Sequence, residues 1–260
     1  MEPLVKTHVH GQTGTLILNR PDKRNALSRA LLAELHQALD DLHLERRVRA
    51  VVITGSGSAF CAGMDLQEML ATSKEADPQP VWHNDAVIYR DLLEAMLLFP
   101  KPLIAAVGGP AMAGGAGLML ACDMVVAADN ATFGLPEPRR GLVAGIVAPL
   151  LTFRIGAGQA GYLLLSSKTI TAADAFRIGL FHELVRPDHV WARAAQLSEE
   201  LSAGAPEALQ LTKRMLNETI GEHLRTLLSA GAAASATART TEAASEGLAA
   251  FLEKREPIWP

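Results

Sequence analysis

Residues 102–129, PLIAAVGGPAMAGGAGLMLACDMVVAAD, limit the fold more than any other part of the chain. Pro102–Gly109 and Cys122–Asp129 are apolar runs of strand length, bounded by Gly, Pro or Asp, and each reads as a buried strand. Between them, Ala111–Leu120 is apolar enough for a helix but carries Gly114, Gly115 and Gly117. A glycine inside a helix costs about 1 kcal/mol relative to alanine. Three in one run imply that something must come close to the backbone. The run holds no side chain able to do acid or base chemistry, so whatever approaches must meet backbone groups. Strand, short helix, strand is the succession of an α/β core.

The same signals recur on both sides. Gly14–Asn19 and Arg49–Gly55 are β-rich runs, the second continuous enough for a buried strand. Asn19–Asn25 is a polar loop marked by Pro21. From Ser28, a suitable N-cap, Leu31, Leu32, Leu35, Leu39 and Leu42 fall on one helical face. Ser56–Asp65 is a loop of small residues, with Asp65 placed as a local cap. Thr72–Pro80 reads as a mobile surface loop, and a helix from about His83 to Leu98 stops before Pro100. After Gly145 the pattern is mostly helical. Thr171–Asp174 resembles a capping box, Phe181–Val185 reads as a late strand, and Pro206 suits the first turn of a helix. Residues 206–260 read as wholly α. The expectation is an α/β core over residues 1–200 followed by a helical region over 201–260.

Composition excludes several classes. At 260 residues the chain is one large domain, or one domain with an appendage, and can bury a sizeable core without staples. Hydrophobic content of 49% with 5% aromatics means a core of Leu, Ala, Val and Ile. A net charge of −4 without a long basic run argues against nucleic acid as a partner. Cys61 and Cys122 are too few for a disulfide framework or a zinc site, which points to a reducing compartment and to no bound metal. The opening MEPLVKTHVH has neither signal- nor transit-peptide character, and no apolar stretch reaches the ~20 residues that span a bilayer. A cytoplasmic protein with no membrane partner is expected.

Three stretches could carry chemistry. The glycine run could cradle an anion, because the first N–H groups of a helix are free donors at the positive end of its dipole. It is neither a spaced G-x-G-x-x-G nor a P-loop, and close packing alone would also explain it. SGSAFCAGMD (Ser56–Asp65) could aim an N–H near Gly63 or Met64 into a cleft, or be an ordinary strand-to-helix turn. In ATFGLPEPRRG (Ala131–Gly141), Pro136 and Pro138 stiffen the backbone around Glu137. That suits a carboxylate held in a fixed place, or a solvated loop with Arg139 as ion-pair partner. The histidines form no pair with ligand spacing, and no serine sits in a nucleophile elbow.

Taken in order, NRPDKRNAL, GSGSAFCAGMDL, KPLIAAVGGPAMAGGAGLMLACDMVVAAD and ATFGLPEPRRGLV resemble the crotonase family, the enoyl-CoA hydratase/isomerase superfamily, from about Leu16 to the closing FLEKREP. The resemblance implies a spiral of ββα units with a C-terminal helical region that drives trimer formation, trimers commonly pairing into hexamers. It implies an acyl-CoA thioester as substrate and no further cofactor. Carried over by position, the N–H groups of Met64 and Gly114 would form an oxyanion hole, and Glu137 would be the catalytic carboxylate. Lys23, Arg24 and Ala26 match the loop bordering CoA. Ala62, Asp65, Leu66 and Gly117 match positions around the CoA and acyl group. Phe251 and Lys254 match a C-terminal pair that reaches CoA, in many members from a neighbouring subunit.

The family's hydratases typically use two glutamates, and Gly117 stands where the first would be. Hydration needs a water oriented, a base for its proton and a proton for C2, which suits two carboxylates. Moving a double bond from C3–C4 to C2–C3 needs only one, shuttling a proton from C2 to C4. The residues lean towards an isomerase and the family towards a hydratase. The expectation is enoyl-CoA hydratase, in fatty-acid or related acyl-CoA degradation, with Δ3-Δ2-enoyl-CoA isomerase and a non-catalytic acyl-CoA binder as alternatives. Glu68 and Asp123 are the other nearby acids and read as structural. Residues 72–84 are expected to cover the pocket, with Met64, Met69 and Trp82 lining it.

Overall fold

The structure is a computed structural model that describes residues 2–221 and 223–260. Strands β1 (Val5–His10) and β2 (Thr13–Leu18) form a hairpin at one edge of the main sheet. A 3-10 turn, Pro21–Lys23, leads into α1 (Arg29–Leu44), and β3 (Ala50–Gly55) returns beside β2. Next come α2 (Leu66–Thr72), α3 (Gln79–Leu98) and β4 (Leu103–Val107). A two-residue strand, β5 (Ala111–Met112), precedes α4 (Gly114–Ala121), β6 (Met124–Ala128) and β7 (Thr132–Gly134). After a second 3-10 turn, Glu137–Arg140, the chain runs through α5 (Val147–Ser166), β8 (Ile170–Thr171), α6 (Ala172–Arg177) and β9 (Glu183–Val185). Helices α7 (Val190–Ser202), α8 (Pro206–Arg214), α9 (Leu224–Ala238) and α10 (Glu242–Glu253) complete it.

Two sheets result. The larger has the order β1-β2-β3-β4-β6-β9, parallel except for the β1–β2 hairpin. Val52 sits opposite Ile104, and Ala105 opposite Val125. β4 is fully buried and β3 and β6 nearly so, as parallel strands covered on both faces must be. The smaller sheet, β5-β7-β8, stands at the end where the strands deliver their loops. Each repeat therefore supplies one strand to the main sheet and a short piece to a second layer, the ββα spiral expected from the resemblance.

Local chemistry explains the ends of several elements. Ser28 caps α1, its Oγ accepting the Leu31 N–H at 3.2 Å. The leucine stripe of α1 lies against the sheet, each residue no more than 2% exposed. Burying such a side chain is worth about 1.5–3 kcal/mol. Thr171 caps α6 by accepting the Asp174 N–H at 3.2 Å, with Asp174 Oδ2 accepting from the threonine hydroxyl. Asp65 caps α2 through the Gln67 N–H at 3.0 Å.

Three expectations need correction. The helix expected from His83 starts at Gln79, because Pro80 at its first turn is pre-set for helix and lacks the N–H that would be unsatisfied there. The loop expected over residues 72–84 is therefore only Ser73–Pro78. Residues 206–260 include a π-helical run, Met215–Ile220, and an irregular tail after Lys254, so they are not all α-helix. Glu222, within that stretch, lies outside the described residues. α9 packs on α3 and α5, and α10 on α2 and the Glu137–Arg140 turn, so the C-terminal helices close over one end of the core. Among the described residues no helix is long and apolar enough to cross a membrane.

Candidate active site

The three stretches singled out in the sequence meet at one place. Cys61 bridges to Ala111 and Met64 to Leu27, so the loop after β3 is sewn to the segment before α4 and to the loop before α1. The stitches are backbone hydrogen bonds: Met112 N–H to Cys61 O at 2.9 Å, Leu27 N–H to Gly63 O at 2.8 Å and Asp65 N–H to Leu27 O at 3.0 Å. β5 pairs with β7, and Ala113 N–H donates to Gly134 O at 2.9 Å. The chain leaving β7 then delivers Glu137. Asn25 pins the base of the loops. It is fully buried with φ +56°, and its Nδ2 donates to the carbonyls of Ser56, Ala59 and Phe60 while its Oδ1 accepts the Arg20 N–H. Asparagine is among the few residues that enter the left-handed region readily.

This sewing leaves two amides unused. The N–H groups of Met64 and Gly114 have no hydrogen-bond acceptor among the described residues. Met64 is the middle residue of a parallel bridge whose bonds fall on its neighbours. Gly114 is the first residue of α4, where no carbonyl lies one turn back. The two loops press together here. A Cβ on Gly63 would stand 2.7 Å from Ala113 Cβ and 3.1 Å from the Gly114 nitrogen. Gly63 has φ +94° and Ala113 φ +51°, ψ −125°. A non-glycine residue in such a conformation costs on the order of 1–3 kcal/mol, a cost met by the surrounding bonds.

The three glycines of the run have three different neighbours. A Cβ on Gly114 would make only ordinary contact with the Met64 side chain, at 3.5 Å. Gly115 is required by the Cys61 carbonyl, which a Cβ would meet at 2.3 Å. Gly117 is required by Tyr89, whose hydroxyl would lie 2.1 Å from a Cβ. At the position that the resemblance places next to the substrate, Gly117 thus has a side chain of this protein beside it. It lies beneath Tyr89, a residue of α3 whose hydroxyl donates a short hydrogen bond to the Gly114 carbonyl. The place where a side chain at 117 would begin is filled by a phenol.

A cleft partly open to solvent runs from these amides. Met64, Met69, Ala86, Leu142 and Val147 give it an apolar wall, and Glu137, Tyr89, Arg140 and Arg239 its polar atoms. Leu66 also lines it, whereas Trp82 is buried on α3 away from it. Glu137 is 8% exposed, and its Oε2 has no hydrogen-bond partner among the described residues. Burial raises its carboxyl to about 7, its own amide and Arg140 acting the other way. Burial likewise holds the Tyr89 phenol well above its ordinary value, with Cys61 and Glu137 adding to the effect. Cys61 is inert as a nucleophile, since burial pushes its thiol up to about 12.

The remaining predicted residues frame the site from outside the cleft. Ala62 gives its N–H to Arg24 O at 2.9 Å, and the Asp65 carboxylate is taken up by capping α2 and by Arg20 at 2.9 Å. Neither aims a free side-chain group at the cleft. Lys23 bonds Gln67 Oε1 at 3.0 Å on the surface beside these loops, next to the exposed Arg24 and the half-buried Ala26. Phe251, half exposed on α10, lies under the Arg140 guanidinium at 4.2 Å, and Lys254 caps the exposed end of that helix. Glu68 accepts the Arg29 N–H, and Asp123 pairs with Lys213 at 2.8 Å, so both act structurally. Asn25, Tyr89, Arg140 and Arg239 have no local sequence signal beyond the left-handed tolerance of asparagine.

Residues 11–260 match the family model described as enoyl-CoA hydratase/isomerase. A Thermus thermophilus protein provisionally named an enoyl-CoA hydratase is 40% identical over 95% of this chain and 97% of its own. The 2,3-dehydroadipyl-CoA hydratase of Escherichia coli is 37% identical over 93% of this chain and 92% of its own. Among solved structures, an enoyl-CoA hydratase from Mycobacterium avium superposes with a TM-score of 0.86 at 32% identity, covering 99% of both chains. The chain belongs to the enoyl-CoA hydratase/isomerase family.

Proposed function

We propose that the protein is an enoyl-CoA hydratase, adding water across C2=C3 of a 2-trans-enoyl-CoA. The observation that carries this reading is the pairing of two unused amides with one buried, unpartnered carboxyl of pKa about 7 in a single cleft. The Met64 and Gly114 N–H groups receive the thioester oxygen, with the dipole of α4 favouring the charge that develops there. Each such donor is worth a few kcal/mol in the transition state.

Glu137 moves the protons. As a carboxylate it takes one from water as the water oxygen bonds to C3, and the C2=C3 electron pair shifts to form the thioester enolate. It then returns a proton to C2, the enolate collapses, and the carboxylate is restored. A pKa near the working pH suits a group that must act as base and acid in turn. Tyr89 compensates for the missing first glutamate. Its proton is committed to the Gly114 carbonyl, which leaves its oxygen lone pairs to accept from the attacking water and turn it towards C3. No cofactor beyond the CoA of the substrate enters this sequence.

In this reading CoA lies along the rim formed by Lys23, Arg24, Ala26 and Ala62, with Phe251 and Lys254 reaching it as the family resemblance implies. The exposed apolar side chains of the C-terminal third, among them Leu211, Met215 and Leu227, support assembly into a trimer or a dimer of trimers. Two free, buried cysteines fit a reducing, cytoplasmic setting. The test is Glu137→Gln. Hydration of crotonyl-CoA falls by at least a thousandfold while the Kd for a saturated acyl-CoA changes little. Retained hydration overturns the assignment of Glu137.

A single carboxylate also favours a second reading, Δ3-Δ2 isomerisation, in which Glu137 carries a proton from C2 to C4 while the same amides hold the dienolate. A non-catalytic acyl-CoA binder would need none of these proton positions.

A further inference from the structure

Arg239 is a polar group of the acyl cleft that hydration does not use. Arg239, the C-cap residue just after α9, is 7% exposed and lines the cleft together with Ser235 one turn earlier. Its Nη1 is buried and donates to no acceptor among the described residues. The nearest carboxylate, Asp85 on α3, stands 3.9 Å from Nη1, close enough for attraction and too far for a hydrogen bond. Asp85 is already committed: Arg29 grips both its oxygens, Nε to Oδ1 at 2.7 Å and Nη2 to Oδ2 at 2.9 Å. Thr72 takes another Arg29 bond at 2.8 Å, and Ser235 spends its hydroxyl on the Val143 carbonyl. Arg239 is thus held beside the cleft by a carboxylate that bonds to another arginine, and its guanidinium has no hydrogen-bond acceptor among the described residues.

Such a donor is costly to bury unless a ligand completes it. An alkyl chain would leave it unpaired in every turnover. A carboxylate would match both its charge and its forked geometry. We infer that the cleft carries a recognition subsite for a carboxylate on the acyl group away from the thioester, with Arg239 as its donor. The substrate class is then the 2-enoyl-CoA monothioesters of dicarboxylic acids. Arg140, the other guanidinium on the cleft, stacks on Phe251 and faces Glu137, so it is the less available of the two.

This inference rests on the hydratase reading, and the test separates the two. Matched pairs of 2-enoyl-CoA thioesters of four to eight carbons, ending in methyl or in carboxylate, are assayed with wild type, Arg239→Met and Arg239→Lys. Wild type prefers the carboxylate member of at least one pair by tenfold or more in kcat/KM. Arg239→Met lowers that ratio roughly 10- to 100-fold, mainly through KM, the range expected for one charged hydrogen bond, and Arg239→Lys restores part of it. A preference for methyl-ended substrates at every length, or an equal loss on both members in Arg239→Met, overturns the inference. The variants keep the Arg29–Asp85 pair, but calorimetry on wild type alone also decides the point. Saturated acyl-CoA ending in carboxylate binds more tightly than its methyl-ended counterpart, and the reverse order refutes the subsite. If no 2-enoyl-CoA is hydrated, the function reading fails while this binding comparison still stands.

Discussion

Glu137→Gln should make the protein more stable at alkaline pH. Burial raises the Glu137 carboxyl from an ordinary 4.5 to about 7, so the folded chain prefers the neutral form. Below pH 4.5 the group is neutral in both states and imposes no penalty. Between 4.5 and 7 the unfolded chain releases a proton that the folded chain retains, and stability falls as pH rises. Above 7 the loss is complete, at about 3 kcal/mol from the constant relating pKa to free energy. Glutamine has nearly the same shape and never ionises, so the variant escapes the loss. In a chain of this size 1 kcal/mol moves Tm by about 2–4 °C, which puts the gain at roughly 6–12 °C above pH 7. Water entering the open side of the cleft makes that figure an upper bound. The assay is thermal unfolding of both proteins at pH 5 and pH 8 in one buffer system. The variant melts well above wild type at pH 8 and close to it at pH 5. An offset equal at the two pH values, or a less stable variant at pH 8, would refute the claim that Glu137 is held against its charge.

The packing of the two loops has further consequences. Tyr89→Phe removes the hydroxyl over Gly117 and lowers kcat for hydration by about 2- to 10-fold with a small change in KM, the range of one neutral hydrogen bond; unchanged kcat would remove Tyr89 from the mechanism. Gly117→Ala costs a few kcal/mol in chemical unfolding, because its Cβ meets the Tyr89 hydroxyl at 2.1 Å. Combined with Tyr89→Phe the cost shrinks, and a double-mutant cycle shows coupling of at least about 1 kcal/mol. Gly63→Ala forces a side chain into φ +94° and against Ala113, displacing the two amides; kcat falls about 100-fold or more, and stopped-flow binding of acyl-CoA reports whether the loss lies in turnover. Light scattering of the purified protein gives a mass three or six times that of the chain, and a monomer would leave the C-terminal apolar surface unexplained.

Much of this fold could be read from local chemistry. The leucine stripe of α1, its serine cap, the buried runs of β3, β4 and β6, and the Thr171 cap depend on near neighbours in sequence. β5 and β8, of two residues each, are too short to show a period, and the start of α3 is hidden by a proline that reads equally as a turn. At the site, prolines around Glu137 and glycines at 63 and 115 are visible signals because the backbone itself is constrained there. Gly117 misleads, because an absent side chain looks the same whether a ligand or a neighbour fills the space. The phenol that fills it comes from the middle of α3, where nothing in the sequence sets Tyr89 apart. Arg239 and Asn25 act through partners far along the chain, and only tertiary structure reveals what each has bonded or left free.

The central claim is that one buried carboxyl, two amides and a phenol suffice to add water. The most direct measurement follows two substrates with the purified protein, crotonyl-CoA for loss of its 2-enoyl absorbance and 3-hexenoyl-CoA for its gain. Loss with crotonyl-CoA, abolished by Glu137→Gln, is the predicted result. Silence with crotonyl-CoA and gain with 3-hexenoyl-CoA would contradict it, and would mean that the missing second carboxylate has made the enzyme an isomerase.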